Sequence, residues 1–182
     1  MAHIPRVLLI SGSLRQASTN SAALRTALHF APHAVASTLY DGMAGLPAFN
    51  PDLDRDPLPP PVADLRRAIR EADGLLFSTP EYAGGLPGSF KNLLDWTVGD
   101  ARPGSIYEKP VGWVNVAARG APYAHDSLRR VLGYVGAEIV EPACVEVPVT
   151  SAMVGEAGLI TDHSAGMRLS HTLEILAGAC SS

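Results

Sequence analysis

The chain has 182 residues, of which 47% are hydrophobic and 18% are charged, and its formal net charge is -4. This length and apolar content suit one domain, residues 1–182, with a full core. The sequence holds no Lys/Arg cluster that could neutralise a phosphate backbone and no apolar run long enough to span a bilayer, so we expect neither a nucleic-acid nor a membrane partner.

The cysteines and the amino-terminal segment indicate the compartment. Cys144 and Cys180 form neither a disulfide framework nor a metal-ligand pattern. Residues 1–6 lack the basic flank and long apolar core of a signal peptide. We therefore expect a cytoplasmic protein.

Five apolar segments alternate with five segments of helical spacing. Strands are predicted at residues 6–11, 34–40, 74–79, 110–117 and 138–147, the last broken near Pro142. Helices are predicted at residues 20 or 21 to 31, 62–71, 89–98, 123–135 and 161–177. Because the strands are too apolar to be half exposed, the pattern predicts an α/β, flavodoxin-like three-layer sandwich: a five-stranded parallel sheet in order 2-1-3-4-5 with helices on both faces.

Two segments, 41–61 and 148–157, carry neither pattern. The first is rich in Pro, Gly and Asp, and it is either an excursion over an active site or a surface connector. In the helix that follows it, Arg66, Arg67 and Arg70 lie beside acidic residues. We interpret these arginines as a solvated helix face.

A small, hydroxyl-rich loop at residues 11–20 joins the first strand to the first helix. The amides of such a loop and of the first helical turn point outward, where the helix dipole favours negative charge, and Arg15 adds a positive charge. The loop lacks the P-loop pattern G-x-x-x-x-G-K-[ST]. Of the three glycines in the dinucleotide-binding pattern G-x-G-x-x-G, it has only Gly12. It therefore predicts a site for a terminal phosphate monoester, such as that of FMN.

The loop after the third strand, residues 80–88, is expected to lie beside this site. The carboxyl ends of strands 1 and 3 meet where the strand order reverses, which is where such sheets bind ligands. Residues 81–85 offer backbone N–H groups under little side-chain bulk, which suits the pyrimidine end of a flavin and the negative charge of its reduced form. Spacing alone leaves open that these glycines only make turns.

Two motifs resemble the NADPH-dependent FMN reductase family. Residues 12–20, GSLRQASTN, are similar to its G-S-x-R-x-x-S-x-N segment, and residues 79–82 with 86–96 are similar to its P-E-Y-N-x-x-x-P-G-x-L-K-N-x-I-D-W signature. The resemblance covers nearly the whole chain. It implies a flavodoxin-like fold with non-covalent FMN, in a homodimer or a homotetramer.

By position, the resemblance implies which residues contact FMN. The phosphate would be held by Ser13, Arg15, Ser18, Asn20 and Ser21. The flavin ring would be flanked by Pro80, Glu81, Tyr82, Ala83 and Gly84. The loop and the dimer interface would be braced by Lys91, Asn92, Asp95 and Trp96.

The chain also departs from the family pattern. Ala83 stands where the family usually has Asn, and the third loop, residues 117–121, is poorer in glycine than usual. Arg119 in that loop either pairs with a flavin oxygen, pairs with the 2′-phosphate of NADPH, or is an ordinary exposed arginine. We expect a core or interface position for Trp113 and a surface or capping role for His125.

The sequence thus favours an NAD(P)H-dependent FMN-containing oxidoreductase. NADPH or NADH would stack on the open face of FMN, and a quinone-like or other small-molecule electron acceptor would then take the same place. No side-chain acid or base is required. The alternatives are a reductase that supplies free reduced FMN to a monooxygenase, a flavodoxin-like electron carrier, and a nucleotide-binding scaffold without turnover.

Overall fold

The computed structural model describes residues 3–180; residues 1 and 2, where the amino-terminal segment begins, and residues 181 and 182 lie outside it. The strands are β1 Arg6–Ser11, β2 Ala36–Tyr40, β3 Gly74–Ser78, β4 Pro110–Asn115 and β5 Glu138–Glu146. The helices are α1 Thr19–His29, α2 Pro60–Glu71, α3 Gly88–Val98, α4 Pro122–Tyr134 and α5 His163–Ala179. All strand pairs are parallel, in the order β2-β1-β3-β4-β5, so the predicted fold class and strand order are confirmed.

Alternate residues of the strands feed two separate core layers. Val7 and Leu9 of β1 pack with α1 and α5, whereas Leu8 and Ile10 pack with α2, α3 and α4. Successive strand side chains point to opposite faces, so a strand covered on both sides must be apolar at every position. This explains why the central strands β1, β3 and β4 show no alternation of polar and apolar residues, whereas the edge strands β2 and β5 are partly exposed.

Several predicted boundaries were wrong by one or two residues. Helix α1 ends at His29 rather than residue 31, because a residue directly before Pro32 is disfavoured in the helical conformation. Strand β2 begins at residue 36 rather than 34, and α2 begins at Pro60 rather than residue 62. Strand β5 is not broken: it carries an irregularity at Pro142, where an edge strand tolerates proline.

The segment between β2 and α2 packs against α3. It contains two short 3₁₀ helices, Gly42–Gly45 and Pro51–Leu53. Asn92 of α3 accepts a hydrogen bond from the Phe49 N–H (2.7 Å) and donates one to the Pro47 carbonyl (2.9 Å). Trp96 Nε1 donates to the same carbonyl (2.9 Å). These bonds favour the connector interpretation, and they show that Asn92 and Trp96 brace this segment.

The interpretation of the α2 arginines as a solvated face was wrong. Arg66 is only 5% exposed, and its Nη2 lies 2.7 Å from Asp54 Oδ1. Arg70 pairs with the buried Asp100 at 2.7 Å, and only Arg67 is fully on the surface. The acidic partners come from residues 54 and 100, which fold back over the helix. Spacing within α2 carries no information about them.

Gly99 is expected to be essential for the buried Arg66–Asp54 ion pair. A Cβ at Gly99 would lie 1.9 Å from Asp54 Oδ2, and the backbone there has an ordinary φ of -81°, so the effect of Gly99→Ala is steric. We expect it to cost about 3 kcal/mol of unfolding free energy, the usual cost of breaking a buried pair, measured by urea denaturation. Gly45→Ala, where a Cβ meets nothing within 4 Å, is the control. Equal stability of the two variants would contradict the prediction.

Within residues 3–180, no helix is long and apolar enough to cross a lipid bilayer. The same residues contain no group of three His, Cys, Asp or Glu side chains that could hold a metal ion.

Candidate functional site

The first loop, residues 12–18, presents a cluster of unsatisfied backbone donors at the carboxyl end of β1. Within it, the amide of Ser13 is held by Ser11 Oγ and that of Arg15 by Ser13 Oγ, both at 3.3 Å. No hydrogen bond within residues 3–180 engages the amides of Leu14, Gln16, Ala17, Ser18, Thr19 and Asn20. Six open N–H groups at the positive end of α1 form an anion site.

Side chains add to these donors. Ser18 caps α1, since its Oγ accepts from the Ser21 N–H (3.4 Å). The hydroxyl of Ser21 lies 2.8 Å from that of Ser11. The hydroxyl protons of Ser13 and Ser18 have no acceptor, and the exposed Arg15 guanidinium has no partner in the described chain. Two O–H donors and one free cation therefore border the open amides.

Asn20 has a different role from the one its position suggested. Its buried Oδ1 atom is placed 2.9 Å from Ser78 Oγ, which is also 2.9 Å from the Val114 carbonyl. One hydroxyl proton cannot serve both oxygens, and turning the amide so that Nδ2 donates to Ser78 Oγ leaves that proton for the Val114 carbonyl. The Asn20 side chain therefore ties α1 to the ends of β3 and β4, and its backbone N–H is what faces the anion site.

The second loop, residues 79–87, contains a tight turn. Tyr82 and Gly85 exchange two backbone hydrogen bonds (3.0 and 3.1 Å), and Ala83 and Gly84 between them have φ of 51° and 73°. The amides of Glu81, Ala83 and Gly84 have no partner in the described chain. Glycine at residue 84 thus allows a left-handed backbone, and the N–H groups inside the turn are left open to a ligand.

Ala83 is a strained position, and asparagine should relieve it. A left-handed conformation raises the free energy of an L-residue by roughly 1 kcal/mol. The cost is smaller for Asn, because its side chain forms hydrogen bonds with the local backbone. We expect Ala83→Asn to raise the unfolding free energy by roughly 0.5 kcal/mol. Thermal unfolding measures this, and Gly84→Ala, at the neighbouring positive φ, should move stability in the opposite direction. Destabilisation by Asn would contradict the assignment of strain.

Glu81 connects the second loop to α4. Its Oε2 accepts from the N–H groups of Tyr123 (3.0 Å) and Ala124 (3.2 Å), and α4 has no other side-chain cap. A carboxylate there also complements the helix dipole. The half-exposed Tyr82 ring, 52% accessible, and Pro80 border the same edge.

Close packing brings the first two loops together. The Gly12 N–H donates to the Ser78 carbonyl (2.8 Å), and a Cβ on Gly12 would lie 2.5 Å from Thr79 Oγ1. The two strand ends, Ser11 and Ser78, are direct neighbours in the sheet. Gly12 belongs to the sequence motif but was not among the predicted site residues. Its position directly after a buried strand was the signal that could have predicted this close approach.

The third loop, residues 116–121, follows β4 at the same edge. The Ala117 N–H donates to Asn115 Oδ1 (3.1 Å), and Gly120 has φ of 71°. Arg119 is exposed and has no partner within residues 3–180. The structure thus leaves its side chain available to a ligand.

Of two residues behind this loop, His125 differs from expectation and Trp113 agrees with it. His125 was expected at the surface or as a cap, yet it is buried, at 9% exposure, with Nδ1 2.8 Å from the Ala121 carbonyl. Trp113 is buried as predicted, with the Arg129 guanidinium 4.9 Å from its ring centroid. The contact between His125 and Ala121 joins the first turn of α4 to the residue before it, and the predicted helix at residues 123–135 did not reveal this contact.

Neither cysteine is suited to thiol chemistry, and only Cys144 lies near the third loop, because Cys180 lies beside Gly74 at the start of β3. Burial raises the pKa of both Cys144 and Cys180 to about 11, so each is a neutral thiol at pH 7. No side-chain nucleophile is needed if the site holds a redox cofactor.

The three loops together fit FMN. Open amides, two hydroxyls and Arg15 suit a phosphate dianion, and the open amides of residues 81, 83 and 84 suit the polar edge of a flavin ring. Small residues in the second loop leave room for a planar group.

Comparison with known proteins agrees with this geometry. Residues 5–150 match the sequence profile described as NADPH-dependent FMN reductase. An NAD(P)H-dependent FMN reductase of Pseudomonas aeruginosa is 46% identical over 91 residues, 50% of this chain and 49% of that protein. A 2-hydroxy-1,4-benzoquinone reductase of a Burkholderia species is 34% identical over 137 residues, 71% of each chain.

The solved structure of the NAD(P)H:(acceptor) oxidoreductase FerB of Paracoccus denitrificans has the same fold. It superposes with a TM-score of 0.81 over 97% of each chain, at 25% sequence identity. The match with the Pseudomonas relative spans about half of that relative's length. The family predicted from the two sequence motifs is confirmed. The chain belongs to the NADPH-dependent FMN reductase family.

Proposed function

We propose that this protein is an NAD(P)H-dependent FMN oxidoreductase that passes electrons from NADPH or NADH to a quinone-like or other small acceptor. The observation that carries the proposal is the convergence of open amides from the first and second loops at one edge of the sheet. The quinone-like acceptor is supported by the Burkholderia relative, whose name gives a benzoquinone substrate. One domain supplies every residue of the proposed site.

The first loop would hold the FMN phosphate. Ser13 and Ser18 donate their free hydroxyl protons, the open amides wrap the remaining oxygens, and Arg15 supplies the charge. Asn20 and Ser21 position this loop, through Ser78 and Ser11 respectively. The anion is thus met mainly by groups that are already fixed before it binds.

The second loop would hold the flavin ring. The N–H groups of Glu81, Ala83 and Gly84 point to its polar edge and stabilise negative charge there. Pro80 and Tyr82 flank the ring. FMN supplies the two-electron chemistry, so the chain need only bind, orient and stabilise charge.

Arg15 should matter for the affinity of FMN but not for folding. Its guanidinium makes no contact within residues 3–180, so Arg15→Leu removes only a partner of the phosphate. We expect FMN to bind roughly 10–100-fold more weakly, the usual effect of a lost charged hydrogen bond, with the unfolding midpoint unchanged. Quenching of FMN fluorescence measures this. Arg55→Leu, another exposed and unpaired arginine, is the control, and equal FMN affinity in both variants would refute the phosphate assignment.

The spectrum of the protein tests the proposed function directly. With FMN bound, the flavin bands should bleach on addition of NADPH or NADH and return on addition of a benzoquinone. Protein that takes up no FMN would overturn the proposal. Flavin that is bound but not reduced by either nucleotide would instead indicate an electron carrier. Steady-state rates with free FMN against quinone would then separate a quinone reductase from a supplier of reduced flavin.

We further propose that the protein self-associates, as a homodimer or a homotetramer, through the outer face of α3 and α4. This face carries an apolar depression lined by Phe49, Val98 and Val131, beside Tyr134, which is 80% exposed. Asp95 and Arg130 on its rim would pair across a two-fold axis. Sedimentation velocity measures the mass; a monomer at micromolar concentration would contradict the proposal.

We also propose a cytoplasmic location. Cys144 and Cys180 are both free thiols in the structure. Disulfides are rare where glutathione and thioredoxin keep thiols reduced, and unpaired cysteines suit that environment.

A further inference from the structure

A second cleft opens between α4 and the edge strand β5, behind the third loop. Its volume is about 500 Å³, within the usual range for small-molecule sites. Trp113 and Asn115 of β4, Arg119 of the third loop and His125 of α4 line it. None of the hydrogen bonds of the first or second loop is made by these four residues.

His125 leaves an orphan acceptor in this cleft. Its Nδ1 lies 2.8 Å from the Ala121 carbonyl, which can only accept, so the proton sits on Nδ1. The opposite ring nitrogen, Nε2, therefore carries a lone pair, and it is buried without a hydrogen-bond partner in the described chain. A buried polar atom left unpaired costs about 1–3 kcal/mol, so a ligand that donates an N–H to it would recover this free energy.

Asn115 leaves a donor in the same cleft. The side chain is 6% exposed, and its Oδ1 is occupied by the Ala117 N–H at 3.1 Å. Its Nδ2 has no partner within residues 3–180. A complementary ligand edge has an N–H donor and a lone pair on one planar group, as the amino group and ring nitrogens of adenine do.

The charges at the mouth of the cleft suit the rest of a nucleotide. Arg129 is engaged by Glu141 in a two-pronged ion pair and by Trp113, so Arg119 is the cation that remains free for a phosphate. Asp126 and Glu146 also line the cleft, and carboxylates there would accept from ribose hydroxyls.

The position of the cleft relates it to the flavin site. Glu81 binds the amides of Tyr123 and Ala124, directly before His125, so the cleft begins next to the loop proposed to hold the flavin. The nicotinamide must stack on the flavin beside the second loop. We propose that the cleft binds the adenosine half of the same dinucleotide, with adenine against His125 and Asn115 and a phosphate at Arg119. This inference rests on the proposed function.

Binding of 5′-AMP tests the inference without any redox turnover. Titration of the FMN-loaded protein should quench Trp113 fluorescence saturably, and Trp113→Phe should remove the signal, because Trp96 is fully buried in the α3 layer. His125→Phe and Arg119→Leu should each weaken AMP binding at least tenfold. The matched control is His171→Phe on the exposed face of α5. Arg119 makes no hydrogen bond or ion pair within residues 3–180, so its variant remains informative if His125→Phe fails to fold.

The same variants should show a split in the steady-state kinetics. We expect the KM for NADH or NADPH to rise in Arg119→Leu, while kcat at a saturating nucleotide concentration stays the same. The inference is overturned if the protein binds FMN and is reduced by NAD(P)H but AMP does not bind, or if nicotinamide mononucleotide occupies the cleft instead. Failure to bind FMN would overturn the proposed function, which a separate flavin titration detects.

Discussion

Replacing Gly12 by alanine is expected to weaken FMN binding more than tenfold and to destabilise the protein by roughly 2 kcal/mol, a usual cost of overpacking. The new Cβ would lie 2.5 Å from Thr79 Oγ1, 2.7 Å from Thr79 Cβ and 2.9 Å from Phe90 Cδ1. Phe90 is fully buried and cannot yield. The first and second loops must therefore move apart, and the two halves of the proposed FMN site move with them.

The matched control for this variant lies directly after the second loop. Gly88→Ala adds a Cβ that meets nothing within 4 Å, at the first residue of α3. Urea denaturation and FMN fluorescence titration should leave Gly88→Ala close to the parent protein. If Gly12→Ala binds FMN with the parent affinity, contact between the two loops does not determine the site.

Replacing Glu81 by alanine is expected to have the second large effect, through two properties at once. Loss of the carboxylate leaves the Tyr123 and Ala124 amides uncapped, which costs about 1–2 kcal/mol. It also frees the second loop from α4, so the open amides proposed to hold the flavin edge lose their fixed direction. We expect FMN affinity to fall about tenfold, the equivalent of roughly 1.4 kcal/mol.

Conservative variants separate these two effects. Glu81→Gln keeps an oxygen acceptor for α4 and should retain most of the stability and most of the FMN affinity. Glu156→Ala, at an exposed glutamate outside the site, is the control for loss of a carboxylate. If Glu81→Ala lowers the unfolding midpoint but leaves the FMN dissociation constant unchanged, Glu81 is a helix cap and does not position the loop.

Local patterns predicted much of the site because they act through backbone geometry. The first loop follows a short buried strand and precedes a capped helix, so its open amides follow from secondary structure alone. The same holds for the left-handed turn at Ala83 and Gly84, where glycine marked the backbone. Such features depend on residues that are close together in the sequence, so the sequence alone is enough to predict them.

Partners far apart in the chain could not be predicted in this way. The buried Arg66–Asp54 pair, taken for a solvated face, depends on a connector that folds back over α2. Glu81 finds its amides 42 residues later, at the start of α4. In both cases the fold determines the partner of a charged side chain. The residues of the element that carries the side chain do not predict that partner.

The strand order and the loop at residues 11–20 were already predicted from the sequence. A run of apolar residues and a short polar loop each lie within one segment of the chain, so both can be recognised there. The roles of individual polar side chains were settled by packing. Asn20 serves Ser78 rather than a phosphate oxygen, and His125 is buried with one nitrogen unpaired. A hydrogen bond requires two groups within about 3 Å, and only the folded sheet brings β1, β3 and β4 that close. The loop at residues 11–20 and the phosphate site that we propose for it were thus predicted from the sequence, whereas the cleft beside α4 is formed only by the folded chain.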